Sequence, residues 1–426
     1  MDIIFEIGLY LMPFENLFFA PSAGWATITP IIFFIYLLFN LKLVIKTIYK
    51  YKYIFICFLL AIVLSAINYI FIGIEIKNFI NAGITLGLGI IDFISMDIYF
   101  RQKQNNIDKC VKILLLVYTI SLIIGWLQFI TIKLDIEPVK QIFYSIEKRS
   151  YMQSNRVQFT FTEPSFIGMH LFGILLPIYL FTKNKKILIL ILMFTMSSII
   201  FSSGMRILID IIIVASILYV VYLIKNINNK RVIMTTLILL FIGILGITIL
   251  YNTNNRAKNI INKGIYADGS LASRFFRINS TIKGCTNDCR LLTGYGLGNA
   301  LIPIRSGYEE AMKEYKSSYT NEMEQLANPN FTNDSVSFCL YTRVISEFGI
   351  VFLIIAITYI YQLSIKSNNL FFRNYVWILF YIYLQFESYA FYTIWLYIVL
   401  LHLEIEKNRN ENIRTTEALN WKKILI

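Results

Sequence analysis

Residues 156–173 read RVQFTFTEPSFIGMHLFG. The stretch enters a long apolar run, yet it carries Arg156 and Glu163 just ahead of that run and His170 inside it. Pro164 suits the first turn of a helix, and a carboxylate immediately before it suits the positive end of the helix dipole. Whether the helix that follows is the core of a soluble domain or a membrane span decides the fold. The role of Glu163 follows from that.

Composition answers the first question. The chain of 426 residues is 57% hydrophobic and only 15% charged, with a mean hydropathy of +0.62, so its main solvent is lipid. Apolar runs long enough to cross roughly 30 Å of hydrocarbon recur along it. They cover 3–19, 27–45, 53–74, 78–98, 113–132, 165–182, 187–203, 207–224, 232–251, 336–363, 370–386 and 388–404. Alternating ten-residue segments of the barrel type are absent, which leaves helices as the spanning element. The N-terminus has small residues after Phe18 but Asp2 and Glu6 and no cation before it, so it is expected to be a retained span and not a cleaved signal. The expected fold is an all-α polytopic membrane protein of about twelve transmembrane helices.

The net charge of +13 follows the loops. Lys42, Lys46, Lys50 and Lys52 follow the second span, and Arg101, Lys103, Lys109 and Lys112 follow the fourth. Lys183, Lys185 and Lys186 follow the sixth, Lys225, Lys230 and Arg231 the eighth, and Lys366 and Arg373 the tenth. With alternating spans all of these fall on one side, so both termini are expected in the cytoplasm of a multi-pass inner-membrane protein. That bias accounts for the charge without nucleic acid. No phosphate-binding glycine loop or zinc-type Cys/His spacing is present. The expected organisation is 1–251 for spans one to nine, with a shorter periplasmic loop near 133–164. A large, partly helical periplasmic loop follows at 252–335, then spans ten to twelve at 336–404 and a basic tail at 405–426.

The large loop has polarised charge. Arg256, Lys258, Lys263, Arg274, Arg277, Lys283, Arg290 and Arg305 precede Gly307, and Glu309, Glu310, Glu314, Glu322, Glu324 and Asp334 follow it. Either the two halves pair with each other, or the cations meet a phosphate-bearing ligand at the membrane surface. Arg206, in FSSGMRILID, stands at an outer span edge behind Ser202, Ser203 and Gly204. It either snorkels to headgroups or binds an anion together with backbone donors. Glu163 is a helix cap or a general base, and His170 reads as a buried structural histidine. Asn333 and Asp334 can cap the tenth span; Arg343 and Glu347, spaced i, i+4, either pair or serve a site inside the membrane. Cys285 and Cys289 are the cysteines of the outer loop and a disulfide candidate in an oxidising compartment; no metal site is expected.

Several stretches resemble the bacterial O-antigen polymerase (Wzy) and O-antigen ligase superfamily. They are LMPFENLFFAPSAGWATITPIIFFIYLL near the N-terminus, Arg156 followed by FTEPSFIG, and FSSGMR. Within the loop and at its exit they are SRFFRINSTIKGCTNDCRLLTGYGLGN and NDSVSFCLYTRVISEFGIVFL. The resemblance implies a GT-C-like, metal-independent glycosyltransferase without cofactor. It would polymerise undecaprenyl-diphosphate-linked glycans at the outer face with inversion. Donor and acceptor glycans are its implied partners, with a chain-length regulator and a flippase of the same pathway. It assigns Arg206, with Arg274 or Arg277, to the departing diphosphate, Arg156 to diphosphate or glycan, and Glu163 to base or acceptor orientation. Ligases of this family carry a histidine in the outer loop, whereas this chain has only His170 and His402, which favours polymerase over ligase. A lipid-linked oligosaccharide flippase is the non-enzymatic alternative, and it would not need an outer loop of this size.

Overall fold

The structure, a computed structural model, describes residues 2–19, 27–103, 105–201, 205–226, 229, 255–333 and 336–424. The expected span at 232–251 lies outside the described residues. The chain is mostly helical, without a strand among the described residues. Five helices are long and apolar enough to cross a membrane: Lys52–Ile72, Ile76–Gln102, Asn106–Lys133, Pro164–Thr182 and Arg206–Lys225. A bent pair, Thr29–Leu38 and Leu41–Lys50, makes six if counted as one.

Side-chain placement explains why these helices need lipid. Lys52–Ile72 leaves Ile56, Leu59, Leu60, Ile67, Ile70 and Phe71 exposed along its length, a patch that water would not tolerate on a monomer. Pro164–Thr182 is the most buried of the five and runs through the middle of the bundle. Its centre is a π-helical turn, Leu171–Leu175, which disturbs the regular ladder. The Tyr375 hydroxyl donates to the Phe172 carbonyl there at 2.8 Å.

Several expected spans are broken, each for an identifiable reason. The first helix, Asp2–Leu11, stops ahead of Pro13, which cannot donate to a helical ladder. Residues 12–19 then run across the end of the bundle, where Glu15 and Asn16 donate backbone N–H groups to the Thr160 carbonyl at 3.0 and 3.3 Å. The second span turns by 102° after Leu38. The tenth divides into Leu340–Phe348 and Ile350–Ser364 at Gly349, whose φ of +85° suits glycine. A Cβ there would meet the Leu292 carbonyl oxygen at 2.0 Å. Lys185–Ile200 and Leu370–Tyr383 are shorter than the spans expected for them. The last helix runs unbroken from Tyr392 to Ile424.

The two ends of the bundle differ. At one end Lys103 pairs with Asp2 (2.6 Å), Lys109 with Glu6 (3.4 Å) and Lys50 with Glu406 (2.8 Å). Lys50, Lys103 and Lys109 thus meet the start of the first helix and Glu406 of the last one on one side. At the other end of Ile76–Gln102, Asn299 donates to the Gly73 carbonyl at 3.1 Å and seats the large loop. That loop is a helical cap built from Asn255–Lys263, Gly269–Asn287, Leu301–Ser306, Tyr308–Tyr315 and Asn321–Ala327. It has its own core around Phe276, Ile304, Tyr308, Tyr315, Met323 and Leu326.

Candidate functional site

The segment leading to Glu163 is fixed along its length. The buried Gln128 side chain accepts from Phe159 N–H at 2.9 Å and donates to the Phe159 carbonyl at 2.8 Å. The Thr160 hydroxyl donates to the Pro13 carbonyl at 2.7 Å. Phe161 stacks on the His170 ring, 4.3 Å between centroids. Glu15 Oε2 accepts from the Thr162 N–H and hydroxyl at 3.1 and 3.3 Å.

His170 is fully buried between Glu15 Oε1, 2.9 Å from Nε2, and the Tyr118 hydroxyl, 2.7 Å from Nδ1. With Tyr118 donating to Nδ1 and Nε2–H donating to Glu15, every polar atom of the imidazole is satisfied. The histidine therefore acts through Glu15 and Thr162 on the position of Glu163, in keeping with its structural reading.

Glu163 occupies the N-cap position of Pro164–Thr182 in extended backbone, but its side chain makes no capping hydrogen bond. Its Oε1 instead receives Arg149 Nη1 at 2.7 Å, and its Oε2 receives the Ser165 hydroxyl at 3.0 Å. Both Arg149 and Arg156 lie over the Tyr151 ring, at 4.8 and 5.6 Å. Burial, followed by the charge of Glu163, pushes the Tyr151 phenol up to about 12. The carboxylate is one-third exposed and remains open to a further partner.

Arg206 approaches from the next element. Its Nε and Nη2 donate to the side-chain and backbone oxygens of Gln385 at 2.7 and 2.8 Å. Asp210, one turn on, shares the Gln385 amide with it without an ion-pair contact: Oδ1 accepts from the Tyr381 hydroxyl at 2.6 Å and from Gln385 Nε2 at 3.0 Å. The carboxylate fits because Gly168 faces it; a Cβ there would sit 2.2 Å from Asp210 Oδ2. Among the described residues Arg206 has no carboxylate within ion-pair distance. Asp210, Arg274 and Glu163 all lie within its electrostatic reach, Asp210 foremost, and the Arg274 guanidinium sits 5.0 Å over Phe338. Glu163, Arg206 and Arg274 thus converge from two span ends and the cap, with Arg149 and Arg156 beside them.

Other candidates are elsewhere. Arg277 pairs with Glu322 at 3.1 Å, and Lys283 with Glu314 at 2.5 Å, so the basic and acidic halves of the cap do pair. Arg343 and Glu347 are both fully buried and bonded at 3.3 Å. Glu347 also accepts from the Tyr389 hydroxyl at 2.6 Å and Gly298 N–H at 3.1 Å. These two form a lock between the cap and the bundle, not an open binding surface. Asn333 is exposed on the cap's return segment; Asp334 and Ser202–Gly204 lie outside the described residues.

The disulfide expectation is corrected: Cys285 and Cys289 are both free. Cys285 faces inward from the Gly269–Asn287 helix against Tyr295 and Ile345. Cys289 follows the helix in a left-handed conformation, φ +55°, and is exposed. Their side chains point to opposite environments.

Glu15, Arg149, Asp210 and Gln385 were missed in the sequence. Glu15 carried a usable signal, a carboxylate in an apolar stretch, as did Asp210, four residues after Arg206. Arg149 and Gln385 have no local signature. No group of three or more His, Cys, Asp or Glu side chains among the described residues could hold a metal ion. No protein-family model matches the chain, no curated protein matches it, and no solved structure matches it.

Proposed function

We propose that this chain is a membrane glycosyltransferase of the O-antigen polymerase type. In this reading it has about twelve spans in a GT-C-like arrangement, sits in the bacterial inner membrane and has both termini in the cytoplasm. It joins undecaprenyl-diphosphate-linked repeat units at the periplasmic face. The observation that carries the reading is Arg206, an arginine at a span edge held by a neutral amide, with no carboxylate in ion-pair contact among the described residues. Arg274 adds a second positive charge nearby.

Like charges gathered at one place favour an anion between them. A lipid diphosphate that accumulates charge as its glycosyl bond breaks is such an anion. Glu163 faces the same region, where it would take the proton of the attacking sugar hydroxyl or orient that hydroxyl. The donor is already activated, so no ATP or cofactor enters the step. In the bond-making event the acceptor hydroxyl oxygen attacks the anomeric carbon, the bond to the diphosphate breaks, and its electron pair leaves with the lipid.

Arg206→Ala tests the reading. A strain carrying it as its sole copy is expected to show one repeat unit per lipid-linked product on a gel, in place of a ladder, with the protein present at wild-type level. An unchanged ladder removes Arg206 from the site. Loss of all surface glycan, down to the single repeat, points to a flippase, and long polymer left unattached to its acceptor points to a ligase.

A further inference from the structure

The Leu41–Lys50 helix leaves the bundle instead of continuing it. It turns by 102° from Thr29–Leu38. Asn40 stands at the corner, donating to the Tyr36 carbonyl at 2.9 Å and accepting from Gln102 at 3.2 Å. Ten residues of helix extend about 15 Å, half of what a bilayer crossing needs. The helix ends beside Lys52, where the Lys52–Ile72 span begins, so it lies at the depth of a membrane surface.

Its side chains divide into three sectors. Leu43, Val44 and Thr47 face the bundle, Leu43 and Val44 packing on its apolar core. Leu41, Ile45, Ile48 and Tyr49 are exposed at 57%, 68%, 38% and 76% and form one continuous stripe. Lys42, Lys46 and Lys50, spaced i, i+4 and i+8, form a third. At 100° per residue the sectors stand about 120° apart. A soluble surface helix would turn its polar sector outward and hide the apolar one. This helix hides one apolar sector and exposes another.

The cations beside that exposed stripe are unequally used. Lys50 pairs with Glu406, and Arg101 with Asp97 and Glu406. Lys42 and Lys46 form no ion pair with any carboxylate among the described residues. Lys46, Lys50 and Arg101 also line a cavity of about 230 Å³ beside Thr47, Asp97 and Gln102.

We propose that Leu41–Lys50 is an in-plane surface helix that docks on anionic lipid. Leu41, Ile45, Ile48 and Tyr49 sink into the acyl boundary, and Lys42 and Lys46 meet headgroup phosphates, Lys46 from the lining of the cavity. Charge complementarity identifies the occupant. Two uncompensated lysines flanking an apolar stripe match the boundary of a negatively charged leaflet, and the basic side of the bundle is the side where such a leaflet is expected. The docking does not depend on the chemistry at the opposite end of the bundle.

The test uses the full chain in nanodiscs of phosphatidylcholine with or without phosphatidylglycerol, read by unfolding temperature. Phosphatidylglycerol is expected to raise the wild-type midpoint, and high salt to remove the rise. Lys42→Gln/Lys46→Gln is expected to match wild type in phosphatidylcholine alone and to lose at least about half of the rise, since each lysine contributes roughly fivefold to association with an anionic surface. Lys185→Gln/Lys186→Gln, two cations in the first turn of the Lys185–Ile200 helix and away from the Leu41–Lys50 stripe, is expected to keep the rise. The proposal is overturned if the wild type shows no rise, if the first variant keeps it, or if both variants lose it equally. It is also overturned if inorganic phosphate in phosphatidylcholine discs reproduces the rise, which would indicate a free-anion site.

Discussion

Arg206 and Arg343 stand at the same end of the bundle and are treated in opposite ways. Arg343 is fully buried with its guanidinium against Glu347, 3.3 Å away, and over the Tyr389 ring at 4.7 Å. Glu347 in turn holds the glycine-rich turn of the cap through Gly298 N–H. Arg206 is oriented just as firmly, by two bonds to Gln385, but its partner is neutral and the nearby Asp210 is occupied by Tyr381 and Gln385. Residue type and membrane depth are therefore poor guides to function by themselves. A carboxylate in direct contact marks the arginine that builds the fold, and Arg206 has none in contact among the described residues.

The contrast breaks first at Arg343. Removing one member of a buried pair strands the other charge, at a cost of about 3–5 kcal/mol. Arg343→Ala is therefore expected to lower the unfolding temperature in detergent sharply and to reduce the amount of folded protein. Arg206→Ala, with its neutral partner left behind, is expected to stay folded and lose the ladder. If Arg343→Ala were as stable as wild type but inactive, the division between the two arginines would be wrong.

Glu163→Gln sharpens the other half. Glutamine keeps the size, its one oxygen can still accept from Arg149 and its amide N–H can donate to the Ser165 hydroxyl, but it cannot take a proton. If Glu163 is the base, turnover is expected to fall by roughly 100-fold or more while binding of lipid-linked glycan to the purified protein stays near wild type. Equal loss of binding and turnover would make it an orienting carboxylate, and no loss would leave it an element of the Arg149 contact alone.

How much of this was legible in the sequence depends on how local its cause is. The apolar helices were readable because lipid imposes one composition on any segment it surrounds. The i, i+4 pairing of Arg343 with Glu347 was readable as one alternative, and so was the pairing of the two halves of the cap. The break after Leu11 had a local signal in Pro13, whereas the breaks after Leu38 and Phe348 answer to distant partners: Gln102 for Asn40 and Leu292 for Gly349. The candidate site shows the same limit. Glu163, Arg206 and Arg274 could be singled out one by one, but Gln385, which fixes the guanidinium of Arg206, sits 179 residues away. Cys285 and Cys289 failed for the opposite reason. Their shared place in the outer loop suggested a bond that the direction of the intervening helix end does not make.

A smaller effect is expected from pH at Glu147, which lies outside the spans beside the fixed segment. Burial raises its carboxyl from the ordinary 4.5 to about 7, against the hydrogen bonds from Ser150 and Gln128. The fold therefore prefers the protonated form. The stability this preference contributes is fully present below about 4.5 and is lost as pH rises through about 7. The unfolding temperature of the wild type is expected to fall across that window relative to Glu147→Gln, which has no proton to lose. Parallel curves for the two proteins would mean that the carboxyl titrates alike in the folded and unfolded chain.

The smallest effect is expected at Arg277, and it marks where the contrast between used and unused charge stops. Its pair with Glu322 spans 3.1 Å, but the glutamate side is 63% exposed, so water and salt already weaken the attraction. Arg277→Ala should therefore cost no more than about 1 kcal/mol and leave the ladder intact, while Arg274→Ala, on the same helix but within the electrostatic reach of Arg206, should shorten it. Both substitutions remove one positive charge from one helix of the cap, so a general electrostatic effect of the cap on an anionic substrate would impair the two alike. Only a site built at Arg206 distinguishes them.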